Sequence, residues 1–297
     1  PGYGVMKEHF TVTFWGVRGS HPVPGGATLR YGGNTTCVQV SVGPLTILID
    51  AGTGIIEAGR KIGGSYLQGG SRDPLHLTVL FTHLHHDHTQ GLPFFMPLFL
   101  GSAVIHFFGP MNFGGELEEV LERSITPPNF PIDFRQTNSR KTLHTIYDNN
   151  VVLLDLADPV PLLKNRFMDS FETKSSTVLV KVLNDYSHPA NGVLVYRIEW
   201  RKRSVVFATD VEGYMFGDAR LASVSKGADL LIHDAQYSAE QYTALPVPKQ
   251  GFGHSIPEMA IEVAEQAGVK SLALTHHDPG SSDETLQKAE AAYKKKY

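Results

Sequence analysis

The run Thr82-His83-Leu84-His85-His86-Asp87-His88 places five side chains able to bind a metal ion or carry a proton within seven positions. It follows the apolar residues 75–81, which read as a buried strand, so the run falls in the loop at that strand's end. The spacing of two lets His83 and His85 converge on one cation, while Asp87 and His88 turn toward a second. A chance cluster is the competing reading. The H-x-H-x-D-H spacing directly behind a strand, with Gly91 shortly after it, favours a metal centre. Two cations need roughly seven or eight ligand positions, so further ligands must come from other strand ends.

Three residues stand at such ends. His188 lies in Tyr186-Ser187-His188-Pro189, Asp210 closes the apolar stretch 205–210, and His276 closes 272–276. Taken singly, each reads equally well as a structural polar residue; joined to the first run they point to one shared site. A carboxylate such as Asp210 can bridge two cations about 3.5 to 4 Å apart, with imidazoles in the outer positions.

The elements that must position these groups follow from periodicity. Strands are expected at 9–15, 36–42, 45–50, 75–81 and 103–108, then at 177–184, 193–200, 204–208, 230–233 and 271–275. Helices are expected at 55–61 (short), 115–124, 256–267 and 283–295, with a flexible glycine-rich loop from Gly63 to Ser71. Residues 91–100, rich in Phe and Met, read as core packing. Pro127, Pro128 and Pro131 make 126–142 irregular: a lid, a substrate-side insertion or a plain connector. No linker-like break intervenes, so 6–297 reads as one domain with two sheets between helices. Residues 1–5, ahead of Met6, read as a cloning remnant or the tail of an upstream region.

Composition narrows the class. The 297 residues carry a net charge of -4 and are 41% hydrophobic, ordinary for a globular enzyme. No apolar run approaches the roughly 18 residues of a membrane span and no basic-then-apolar leader opens the chain, so the expectation is a cytoplasmic protein without membrane contact. Cys37 is the only cysteine, which excludes an intrachain disulfide and thiolate metal clusters; it reads as a small buried strand residue. The acidic balance argues against a protein that tracks long nucleic acid. Arg201-Lys202-Arg203 reads as a hairpin turn and Lys294-Lys295-Lys296 as the end of a terminal helix, both solvated. Homo-oligomerisation is compatible with all of this.

The order H-x-H-x-D-H, His, Asp, His resembles the metallo-β-lactamase superfamily, and the likeness spans nearly the whole chain. It narrows toward the ribonuclease Z and phosphodiesterase branch. Phe14-Trp15-Gly16-Val17-Arg18-Gly19-Ser20 and Leu48-Ile49-Asp50-Ala51-Gly52-Thr53-Gly54 resemble that branch's opening turns. Leu231-Ile232-His233-Asp234-Ala235, Gly253-His254-Ser255 and Leu274-Thr275-His276 resemble its closing motifs. The resemblance implies an α/β (α+β) fold, a four-layer αββα sandwich of two mixed β-sheets flanked by helices. It implies two divalent metal ions, foremost zinc, with manganese or iron also suited to a set of nitrogen and oxygen donors. His83, His85 and His188 would bind the first metal; Asp87, His88 and His276 the second; Asp210 would bridge. His254 would contact phosphate and protonate the leaving group, with Asp234 and Asp50 orienting imidazoles. His277 and His86 have no ligand counterpart; they are kept as substrate or outer groups.

The implied chemistry is hydrolysis at a binuclear centre. Two cations lower the pKa of a shared water, and Asp87 would hold or accept its proton while His254 supplies one to the departing alkoxide. Ribonuclease Z carries an inserted arm that grips transfer RNA, and residues 109–140 do not resemble one. With the acidic charge, this favours a small phosphodiester or cyclic nucleotide as the substrate. The alternatives are a transfer RNA 3′-processing endoribonuclease, a thioester or lactone hydrolase, and a non-catalytic metal-stabilised binding module. A β-lactamase would share the first motif but not the closing ones, and a redox di-iron site would carry Glu in place of His85. Arg18, Asn34 and Thr35 in the opening loops are candidate substrate contacts, with ordinary loop hydrogen bonding the stronger reading.

Overall fold

The computed structural model describes residues 9–111, 115–214 and 217–296; residues 1–5, read above as a remnant or tail, lie outside them. Six strands form the first sheet in chain order: β1 (Phe10–Gly16), β2 (Cys37–Val42), β3 (Leu45–Ile49), β4 (Leu75–Leu80), β5 (Ala103–Pro110) and β6 (Arg140–Ile146). β1 to β3 pair antiparallel and β3 to β6 parallel. The second sheet holds β7 (Asn150–Asp155), β8 (Asp158–Asn165), β9 (Thr177–Asp185), β10 (Val193–Trp200), β11 (Arg203–Ala208), β12 (Leu230–Asp234) and β13 (Leu272–Thr275). Its order is β13-β12-β11-β10-β9-β7-β8, with β11, β12 and β13 parallel.

Successive strand side chains point to opposite faces, and here both faces are apolar because both are covered. Inward-facing Val40, Ile47, Leu80 and Phe108 meet Val180, Tyr196, Phe207 and Ile232 of the other sheet. The outward partners Leu77, Val79, Ile105 and Phe107 pack on Ile55 and Ala58 of α1 (Gly54–Gly69), and on Phe95, Leu98 and α3 (Leu117–Ser124). On the far side Val206 and Leu231 pack on Leu221 of α4 (Ala219–Ser225) and Val263 of α6 (Pro257–Ala267). The layers are therefore helix, sheet, sheet, helix. A short α2 (His86–Thr89) carries the end of the histidine run, α5 (Ala239–Thr243) follows β12, and α7 (Asp283–Lys296) ends the chain. No helix among the described residues is long and apolar enough to cross a membrane.

Two expectations are corrected. Gly63 to Gly70 is not a flexible loop from its start: α1 continues through Gly63 and Gly64 to Gly69. Tertiary packing overrides glycine's low helix propensity, because the bare backbone at Gly59 and Gly63 admits Phe95 and Met96, whose atoms would lie 2.6 and 3.0 Å from an added Cβ. The proline-rich 126–142, expected to be irregular, gives way to strand at Arg140, where β6 begins; β7 and β8 follow in a stretch for which no element was expected. Cys37 is fully buried on β2, and Arg201-Lys202 form the turn between β10 and β11, as anticipated.

The sheets are fastened together beside the histidine run. The Tyr196 hydroxyl donates to the Phe81 carbonyl (2.6 Å) and the Leu194 N–H to the Thr82 carbonyl (2.8 Å), tying β10 to the end of β4.

His106 on β5 is buried and neither of its ring nitrogens has a hydrogen-bond partner. Burial, then the neighbouring His144 and His76, lower its pKa to about 4. The unfolded chain takes up this proton near pH 6.5. The neutral buried ring therefore contributes stability above about pH 6.5 that is lost as pH falls toward 4, after which both states are protonated. In urea unfolding, the stability of His106→Leu relative to the parent should rise progressively across that window. A constant difference would show that His106 is not held neutral.

Candidate metal centre

The histidine run leaves β4 at the seam between the sheets, and the expected partners arrive there from other strand ends. His188 follows β9, Asp210 follows β11 and His276 follows β13. Among the described residues five triads have ligand atoms close enough for one ion: His83, His85 and His188; His83, His88 and Asp210; Asp87, His88 and His276; and two that include His254, with His188 and Asp210 and with Asp234 and His276. Asp210 lies between them, its Oδ2 3.2 Å from His88 Nε2 and 3.3 Å from His276 Nε2, its Oδ1 3.7 Å from His83 Nε2 and 3.8 Å from His188 Nε2. Every one of these residues except His85 is buried.

The second atoms of these rings are already engaged, which fixes which nitrogen faces inward. Nδ1 of His88 donates to Asp50 Oδ2 (2.9 Å), of His188 to the Gly253 carbonyl (3.0 Å), and of His276 to Gln236 Oε1 (2.9 Å); Nδ1 of His83 lies 3.1 Å from Thr82 Oγ1. Each therefore offers Nε2. Asp50 also accepts from the Thr82 N–H and hydroxyl, both at 2.8 Å, so one carboxylate sets two successive parts of the site. Gln236 and Thr82 went unnoticed in the sequence because amides and hydroxyls carry no ligand signature.

Backbone strain collects at the same place. Asp50, Asp210 and His276 adopt left-handed φ values of 61, 54 and 60°, and Ser20, whose N–H donates to Asp87 Oδ2 at 2.8 Å, has φ 61°. Non-glycine residues seldom adopt this region, and they persist where surrounding structure over-determines them. Gly253 has φ 84°, and a Cβ there would stand 2.2 Å from His188 Nδ1.

The electrostatics call for positive charge. Burial disfavours a charged His88, yet Asp210, Asp87 and Asp50 outweigh it and hold the imidazole well above its usual pKa. Burial pushes Asp87 and Asp210 up, but the surrounding imidazoles bring both below the carboxylate range. His83, by contrast, is held neutral by burial and then by His88, and its Nε2 is buried without any hydrogen-bond partner. An orphaned lone pair facing buried carboxylates fits a cation, and the all-nitrogen and oxygen donor set suits zinc, manganese or iron.

His254 adjoins this cluster. Its Nδ1 donates to Asp234 Oδ2 (3.0 Å) and lies 3.9 Å from Asp210 Oδ1. Burial works against its charge, but Asp234, then Asp210 and Asp87, raise its pKa to about 9. Asp234 further accepts from the N–H groups of Ser255, Gln236 and Asp210, so it braces three segments. Other expected groups lie apart. His277 bonds through its main chain to Val17 and Gly19, and belongs to none of the ligand clusters; His86 is exposed on α2. Arg18 is fully buried, donating to the carbonyls of Gly32 and Ser281 and pairing with Asp283, so it is a structural tie. Asn34 and Thr35 bond to Thr53, the loop reading.

Comparison with known proteins points to one family. A family model described as "Beta-lactamase superfamily domain" matches residues 46–277. Among curated relatives, a protein named ribonuclease Z from Synechococcus sp. is 29% identical over 68% of this chain and 70% of its own length. Another of that name from Picrophilus torridus is 26% identical over 96% of this chain and 91% of its own. Among solved structures, human tRNase Z, short form, superposes with a TM-score of 0.58 at 22% identity, covering 90% of this chain and 92% of the other.

Replacing Asp50 with Ala should free the His88 ring and lower metal affinity about 10- to 100-fold, measured by competition with a chromophoric chelator. Parental affinity in a folded variant would remove Asp50 from the site's support.

Proposed function

This chain belongs to the β-lactamase superfamily, and we propose that it is a metal-dependent hydrolase that cuts a phosphodiester bond of RNA, the 3′ end of precursor transfer RNA being the substrate to test first. The observation that carries the chemistry is the convergence of His83, His85, Asp87, His88, His188, Asp210 and His276, with His254 alongside. The choice of RNA is supported by the relatives named ribonuclease Z, one aligned along nearly its whole length. This reverses the order of preference suggested by charge, which put a small phosphodiester first.

In this reading His83, His85 and His188 would hold one cation and Asp87, His88 and His276 the other, with Asp210 available to both. Bound divalent cations supply a nucleophile from water near neutral pH and neutralise charge developing on a phosphoryl oxygen. The protein's groups do the remaining work. Asp87, anchored by the Ser20 N–H, orients the proton of the attacking water. His254, whose pKa the facing Asp234 raises, hands its proton to the departing oxygen. The sandwich buries every one of these ligands except His85, which strengthens their interactions.

A second reading keeps a small phosphodiester or cyclic nucleotide as substrate. It is favoured by the stretch from His188 to Asp210, which a short loop, β10, the two-residue turn and β11 fill, leaving no long insertion to grip a large RNA.

Elemental analysis of the purified protein should find about two ions of zinc, manganese or iron per chain, and their removal should abolish hydrolysis; full activity without metal would defeat the mechanism. A panel of precursor transfer RNA, cyclic nucleotides, bis(p-nitrophenyl) phosphate, a thioester and a lactone should show turnover of phosphodiesters. Turnover of the thioester or lactone alone would overturn the function. His254→Ala should cost about 100-fold or more with an alkoxide leaving group and far less with nitrophenolate; equal losses would remove its role as acid.

A further inference from the structure

The segment from the end of β12 to His254 presents side chains that the chemistry above leaves unused. Tyr237 packs the edge of its ring on His254, with centroids 5.8 Å apart, and its hydroxyl accepts from Gln236 Nε2 at 3.3 Å. The Lys249 ammonium lies over that same ring, 5.8 Å from its centroid, and over Phe252 at 5.0 Å. Tyr237 is buried, whereas Phe252 is 45% exposed. A cation and a partly exposed aromatic ring are thus set side by side, one ring away from the residue that would protonate the leaving group.

The loop is braced in this position. Glu212, two residues beyond Asp210, accepts from the Tyr242 hydroxyl and from the N–H groups of Gly251 (2.7 Å) and Gly253 (2.8 Å). The Lys249 N–H donates to the Tyr242 carbonyl and the Phe252 N–H to the Lys249 carbonyl. Glu212 is engaged by these donors, and no ion pair joins Lys249 to a carboxylate among the described residues. An ammonium fixed over aromatic rings and left without a counter-ion binds phosphate oxygens, and an open ring beside it stacks a nucleobase. Alternating phosphate and base are what a nucleic-acid strand offers at this spacing, and the preformed loop spares the ordering cost of binding.

Resting on the phosphodiesterase reading, we infer that Lys249 and Phe252 form a subsite for the nucleotide on the leaving side of the scissile bond, Phe252 stacking its base and Lys249 holding its phosphate. Tyr237 carries the subsite on the His254 ring. Glu212 is a positioning residue for it.

The test is steady-state kinetics of the metal-loaded protein at several salt concentrations, on an unstructured RNA oligonucleotide and on bis(p-nitrophenyl) phosphate. Lys249→Ala should raise KM for RNA about tenfold and flatten the dependence of log kcat/KM on log salt by about 0.7, the value of one phosphate contact on a single strand. Lys249→Arg should keep the slope. Phe252→Ala should raise KM for RNA about tenfold with the slope retained, and Phe252→Leu, which keeps apolar bulk for folding, should show the same direction. Discrimination between RNA and the nitrophenyl ester should fall in both alanine variants. Equal losses on the two substrates, or an unchanged RNA KM and salt slope, would overturn the subsite and leave the phosphodiesterase reading standing. A parent protein inactive on both substrates and also on precursor transfer RNA and cyclic nucleotides would overturn that reading and the subsite with it.

Discussion

Buried carboxylates set the terms for this molecule. Asp50, Asp87, Asp210 and Asp234 are all buried at one seam, and the groups facing them are imidazoles, threonine hydroxyls and main-chain N–H groups. An unpaired buried charge costs several kcal/mol even after relaxation, on the order of what holds a whole domain together. Hydrogen bonds meet part of that demand at Asp50 and Asp234, which accept from three and four donors. Asp87 and Asp210 are met mainly by rings whose inward nitrogens are lone-pair donors in their neutral form. Cations held between them would satisfy both kinds of group together.

The fold exists around that requirement. Neither sheet alone could assemble the ligands, since the histidine run leaves the first sheet while His188, Asp210 and His276 leave the second. Packing the sheets face to face through Val40, Leu80, Tyr196 and Phe207 brings the two sets of strand ends together, and the Tyr196 hydroxyl on the Phe81 carbonyl holds them level. Left-handed turns at Asp50, Asp210 and His276 then bend each side chain inward. That strain is sustained by the apolar layers behind it.

How much of this could be read from residues alone depended on the kind of signal. His83 to His88, His188, Asp210 and His276 stood out because side chains that bind metals are rare and stood at the ends of apolar runs, and the structure brings them to one place. Layering followed from runs apolar on both faces. The glycines of α1 misled because their reason lies in Phe95 and Met96, packed from another part of the chain. β6 and β8, the margins of the two sheets, were hidden by a mixed polar and apolar pattern, where pairing rather than periodicity decides; β7, with the apolar run Val151-Val152-Leu153-Leu154, was legible all the same. Gln236, Thr82 and Glu212 act by hydrogen bonds whose partners are distant in sequence, which no local spacing reveals.

The central claim is that these residues form one centre for two cations, with Asp210 between them. It is tested most directly by anomalous scattering from crystals of the zinc-loaded protein. Two peaks about 3.5 to 4 Å apart, both within coordinating distance of Asp210, are predicted. A single peak, or density at other residues, would contradict the account.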